Sequence, residues 1–175
     1  MARKLSFASV MTALTVVCLY GSVMIPTGKI TLLALTSLCI LATVIQTGTK
    51  YAWLQFFAAS IIGFLLVPFK AQILLFTLFI GYYPIAKKYI EQIRSLWIEW
   101  IVKILFFLAI LILAYFLLTT FLLSFINFGP ILDLALSHLA LVFLIALLVF
   151  IMYDYFLSLL ASYYIENIKK RLTTK

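Results

Sequence analysis

Residues 104–118, ILFFLAILILAYFLL, are apolar at every position. A spanning strand of a barrel would alternate apolar and polar residues, and a run this long exceeds a buried strand. Lipid is the only solvent that tolerates such a segment exposed. In hydrocarbon, each backbone N–H and C=O must find its partner within the same segment, which makes the segment a helix. The rest of the chain supports this reading, since 67% of its 175 residues are hydrophobic and only 10% are charged. A soluble domain of this length has too much surface for its volume to hide that much apolar material.

Outward from this run, the chain divides into apolar segments separated by short polar breaks. Segment one, Leu5–Ile25, ends at Pro26-Thr27-Gly28-Lys29. Segment two is Ile30–Ile45, segment three Tyr51–Val67 and segment four Ala71–Ile85. Segment five extends from Ile104 to Ile126, and segment six from Leu134 or Leu139 to about Leu160. Segment one is too long for a typical signal-peptide core and no A-x-A site follows it, so it is expected to be retained. Between segments four and five lies the most polar stretch, Lys87–Lys103. Tyr89, Ile90, Ile93, Trp97, Ile98 and Ile101 recur there at helical spacing, which predicts an amphipathic helix lying in the membrane interface. The expected architecture is an all-α polytopic bundle of about six transmembrane helices plus that interfacial helix, forming a single transmembrane domain over residues 1–175.

The net charge is +8. The basic residues sit between the apolar runs and at the termini, where they set topology and meet lipid head groups rather than nucleic acid. Eleven of the 13 Lys and Arg fall on one side of the predicted spans, and only Lys29 and Lys70 fall on the other. The positive-inside rule then puts the protein in the cytoplasmic (inner) cell membrane with both termini in the cytoplasm. Cys18 and Cys39 lie inside apolar runs and read as packing residues.

No catalytic chemistry is legible. There is no H-E-x-x-H, G-x-S-x-G or P-loop pattern. His138 is the only histidine, and Glu91, Glu99, Asp133, Asp154 and Glu166 are scattered. The protein is therefore not expected to be an enzyme, and no cofactor or metal is implied. Asp154 is the one acid deep in an apolar run. It is expected to face the protein interior, where Lys103 can form a structural ion pair with it, because a lone carboxylate in lipid is costly. Glu99, four residues before Lys103, competes for the same cation, and a proton or ion relay through Asp154 is the functional alternative. Lys29, Lys70, Gln72, Asn127, Asp133 and His138, with aromatic neighbours, collect at the predicted outer mouth as a candidate small-molecule site. Small residues recur at helix-packing spacing, Ser9 and Ala13 in segment one and Ala59 and Gly63 in segment three.

A short chain with a basic start, six hydrophobic segments and small residues early in helix one resembles the S components of energy-coupling factor (ECF) transporters. That family carries A-x-x-x-A in helix one, and Ser9-Val10-Met11-Thr12-Ala13 stands in its place here, with Ala8-x-x-x-Thr12 as an offset alternative. The resemblance implies a subunit that captures a small vitamin-like molecule from outside. Ser9 and Ala13 would then dock it to a transmembrane coupling subunit that works with ATPase subunits. A scaffold of the MreD type in cell-envelope synthesis is the reading from a different class. The Gly81-Tyr82-Tyr83-Pro84-Ile85 stretch also resembles one from small bacterial membrane proteins with no function attached. Reporter fusions after Lys29 and Lys70 should report outside and a fusion at Arg94 inside; an outside signal at Arg94 contradicts the six-span topology.

Overall fold

The computed structural model describes residues 2–25, 28–68, 70–93, 96–117 and 139–169. Their regular structure is all helical: α1 Ala2–Met24, α2 Lys29–Gln46, α3 Thr49–Leu66, α4 Lys70–Leu75, α5 Tyr83–Ile90, α6 Leu96–Leu117 and α7 Leu139–Tyr163. Among the described residues, six stretches are long and apolar enough to cross a membrane, the fourth running from Gln72 to Ile90 through α4 and α5. The chain is a multi-pass membrane protein. α2 and α3 have 18 residues each, about 27 Å of helix at 1.5 Å per residue, close to the roughly 30 Å of bilayer hydrocarbon.

Chain contacts divide the protein into two compact units, residues 1–92 with 157–175, and residues 93–156. In the first unit α1 packs along α2 and α3, and α2 reaches α5. Its core joins Leu19, Ile40, Val44, Ala52, Phe56, Ala59, Ile73, Phe76 and Ile85. Most of the buried hydroxyls in these helices bond backward to their own helix, Ser60 being the exception. Thr15, Ser22, Thr36 and Thr43 donate to the carbonyls of Met11, Leu19, Leu33 and Cys39, the usual solution for Ser and Thr in an apolar helix. Gly48 adopts a left-handed φ of 98° between α2 and α3, a conformation that costs a residue with a Cβ. Its N–H and that of Thr47 close on the Thr43 carbonyl, the glycine-ended helix stop.

The fourth span is not one regular helix. A π-helix occupies Phe76–Ile80, and Gly81 N–H bonds the Phe76 carbonyl at 2.7 Å. The cause lies downstream at Pro84, which has no N–H for the Ile80 carbonyl and whose ring would strike it. Widening the preceding turn and restarting at Tyr83, with Pro84 in the first turn of α5, avoids both faults. Pro84 therefore opens a new helix that runs to Ile90, rather than ending the span near Ile85.

The separate interfacial helix expected over Lys87–Lys103 is not formed. α5 stops at Ile90 and α6 has begun by Leu96, so the stretch is shared between the fourth and fifth spans. Over Trp97–Lys103 the sense of that periodicity is reversed, whereas at the end of α5 Ile90 is buried and Lys88 and Glu91 are exposed. Trp97, Ile98 and Ile101 are exposed on the outside of α6, whereas Lys103 is buried. In a membrane protein an amphipathic helix turns its apolar face to lipid and its polar face to protein.

In the second unit α6 and α7 meet through the buried, stacked rings of Phe107 and Phe150, with centroids 4.3 Å apart. Two glycines mark close packing in the first unit. A Cβ on Gly63 would lie 2.6 Å from Ile73 Cδ1, and one on Gly81 would lie 2.8–2.9 Å from the rings of Phe56 and Phe76. The small pair Ala59 and Gly63 is therefore used inside the protein. Gly81→Ala should lower stability in detergent by about 1–3 kcal/mol, the range for overpacking a filled core; an unfolding temperature equal to that of the wild type contradicts this packing.

Candidate functional site

The second small-residue face remains open. On α1, Leu5, Ala8, Ser9, Thr12, Ala13, Val16 and Val17 recur at helical spacing. With Leu54, Gln55, Ala58 and Ile62 of α3 they line a groove of about 510 Å³. The α1 side extends from Leu5 to Val17, about 18 Å along the helix axis. The groove exists because four of its α1 residues and Ala58 are too small to fill the space between two helices held apart by larger neighbours. Ser9 and Ala13 are exposed at its edge, so this face is available for a helix from elsewhere to approach closely.

Its lining is almost wholly apolar, and the hydroxyls in it are committed. Ser9 donates to the Leu5 carbonyl at 3.0 Å and Thr12 to the Ala8 carbonyl at 2.8 Å. Gln55 is different. It is 1% exposed, and its Nε2 donates to Thr15 Oγ1 at 3.0 Å. Thr15 gives its own proton to the Met11 carbonyl at 2.7 Å, so toward Gln55 it acts as acceptor. That fixes the amide with Nε2 toward Thr15, and leaves Gln55 Oε1 buried with no partner. An unpaired buried acceptor costs about 1–3 kcal/mol. One residue lining the groove thus carries a polar atom that lacks a donor, and that atom is enclosed within the protein. Gln55 was not singled out from the sequence, although an amide within the apolar run Trp53–Phe57 is the signal that could have found it.

Of the site residues predicted at the outer mouth, the structure describes Lys29, Lys70 and Gln72. Lys29 is exposed at the start of α2. Lys70 folds back over the end of α3, donating to the carbonyls of Phe64 at 2.6 Å and Val67 at 3.3 Å, with its ammonium 4.6 Å from the Phe64 ring centre. It closes a helix end, where a cation is favoured. Gln72 Oε1 is buried without a partner. Asn127, Asp133 and His138 lie outside the described residues. Among the described residues no group of three His, Cys, Asp or Glu could hold a metal ion.

Among the described residues, two lysines are buried. Lys103 Nζ lies 2.9 Å from Asp154 Oδ2 and 2.8 Å from Glu99 Oε1, so both candidate partners hold it at once. Lys103 and Asp154 are each 2% exposed, and the Trp100 ring lies 5.5 Å from the ammonium. Lys87, read from the sequence as an interfacial residue, is also 2% exposed. Its ammonium donates to Ser158 Oγ at 2.8 Å and pairs with Glu91 at 3.0 Å. A hydrophobic count over its neighbours hid it, because Lys87-Lys88 beside Tyr82-Tyr83 reads equally well as a membrane boundary.

Comparison with known proteins finds no matching family model, curated protein or solved structure. The site is therefore argued from its own residues. Removing a cation bonded by two carboxylates costs more than removing one of the carboxylates. Lys103→Met should destabilise the protein in detergent by about 3 kcal/mol or more, and Asp154→Asn by less. The double variant should be more stable than Lys103→Met alone; strict additivity of the two changes would show that the pair is not coupled.

Proposed function

We propose that this protein is a non-enzymatic subunit of a membrane assembly that holds a transmembrane helix of another protein in the α1/α3 groove. The supporting observation is the contrast between its two small-residue faces. Ala59 and Gly63 are consumed in its own core, whereas Ser9 and Ala13 line an open groove exposed to the surrounding bilayer. Leaving such a surface to lipid alone wastes its shape, because close helix approach is what small residues provide in hydrocarbon. In this reading both termini lie in the cytoplasm and the protein in the inner membrane, which the positive-inside rule supports. Both functional classes raised by the sequence need this surface, an ECF-type subunit to meet its coupling partner and a scaffold of the MreD type to recruit one.

Capture of a vitamin-like molecule from outside, the added function of an ECF-type subunit, is the second reading. Its support is the buried, unpartnered Oε1 of Gln72, two residues beyond Lys70. Mass spectrometry of protein purified in mild detergent distinguishes the two, since only a binder retains a small polar molecule.

Docking itself is tested by placing a photocrosslinking residue at Thr12 in the native membrane. It should form an adduct with one discrete membrane protein, and Ser9→Leu with Ala13→Leu should abolish that adduct. Because both positions are exposed, the same substitutions should change stability by no more than about 0.5 kcal/mol. Unfolding of the double variant would instead assign this face to the protein's own core.

A further inference from the structure

The two walls of the α1/α3 groove end in the same way. On α1 the lining residues recur four apart, Ala8 and Ser9 followed by Thr12 and Ala13, then Val16 and Val17. Lys4 stands one turn before Ala8, in register with that face. On α3 the lining residues Leu54, Ala58 and Ile62 are also spaced by four, and Lys50 stands one turn before Leu54. The two helices run in the same direction, since Gln55 reaches Thr15 and Gly63 lies beside Leu19. Both lysines are therefore at the same end of the groove, each in the first turn of its helix. Both are exposed, and neither forms an ion pair with a described residue. The positive ends of two helix dipoles add to their charge.

We propose that the α1/α3 groove selects a partner transmembrane helix whose flank at that end is acidic, so that Glu or Asp side chains meet Lys4 and Lys50. This rests on the docking reading above, with the start of α1 on the cytoplasmic side, and names the chemistry of that partner. The positive-inside rule gives ordinary spans a cytoplasmic flank of Lys and Arg. Seated here, such a flank would be set against the two exposed lysines, and like charges brought together oppose docking. The same residues favour an acidic flank and reject the commoner basic one, so specificity comes from repulsion as well as attraction. A second copy of this chain meeting the first through the same face would set lysine against lysine, and is disfavoured for the same reason. An anionic lipid also answers the lysines. Its acyl chain, however, has no repeat along its length. The small positions of α1 recur about every 6 Å, the spacing of the ridges along another helix. The walls thus set the shape of the occupant and the lysines set its charge.

The test uses the full-length protein in phosphatidylcholine vesicles with synthetic transmembrane peptides of about 20 Leu and Ala residues. Each peptide carries Glu, Gln or Lys pairs at both ends, so that its direction of insertion does not matter, and association is read by energy transfer. The Glu peptide should bind about three- to tenfold tighter than the Gln peptide, within the range for a pair of exposed ion pairs, and the Lys peptide weaker than either. In Lys4→Gln with Lys50→Gln this order should be lost. Both positions are exposed, so that variant folds. Arg3→Gln, on the opposite side of the same turn of α1, should leave the order unchanged. Equal binding of the three peptides to wild type, a Glu preference that survives in the lysine variant, or its loss in Arg3→Gln overturns this inference and leaves the docking reading intact. If Ser9→Leu with Ala13→Leu fails to reduce binding of any peptide, the docking reading itself fails. Phosphatidylglycerol added to the vesicles should leave the Gln peptide bound. Its release from wild type, but not from the lysine variant, would assign the groove to an anionic lipid and overturn the proposal of a protein partner.

Discussion

Inside hydrocarbon a polar group without a partner costs more than almost any packing defect, and the structure is organised around meeting that demand. Backbone groups meet it by forming helices. Hydroxyls meet it by bonding to the preceding turn, as Thr15, Thr36 and Thr43 do. Pro84 disturbs the backbone solution, and the π-helical turn with its Gly81–Phe76 bond restores it. The charged groups meet it by clustering, with Lys103 between Glu99 and Asp154, and Lys87 between Glu91 and Ser158.

The same demand explains what could be read from the sequence. The six spans are legible because lipid requires long apolar runs and polar breaks. The Lys103–Asp154 pair is legible because one carboxylate deep in an apolar run has few cations it can reach. The division of the polar stretch at Glu91–Ile93 was not. Periodicity reveals that a helix has two faces, but not which face meets protein, and in a membrane the usual assignment inverts. Lys87 was hidden for a related reason, since a lysine near tyrosines at a span end suits the interface as well as the interior. The π-helical turn could have been inferred from Pro84 only by knowing that the helix continues beyond it.

The two small-residue faces show how far local pattern extends. Ser9/Ala13 and Ala59/Gly63 have the same spacing, and nothing within either pair distinguishes internal from external use. Tertiary packing decides it: Ile73 and Leu19 close over Gly63, whereas among the described residues no side chain fills the space beside Ser9 and Ala13. Gln55 then differs from every hydroxyl around it. Its amide reaches across to Thr15 on α1, and its oxygen is enclosed without a partner.

The claim on which the function depends is that the α1/α3 groove is open in the isolated protein and filled in the cell. Lipids with a photoactivatable diazirine in the acyl chain label whatever the bilayer touches, and mass spectrometry maps the labelled peptides. In vesicles of purified protein, the α1 segment from Leu5 to Val17 should be labelled as readily as Leu65 on α3 and Trp97 on α6. In native membranes the α1 segment should be protected while Leu65 and Trp97 remain labelled. Equal labelling of the α1 segment in both preparations would show that nothing but lipid occupies the groove, and would contradict the assignment.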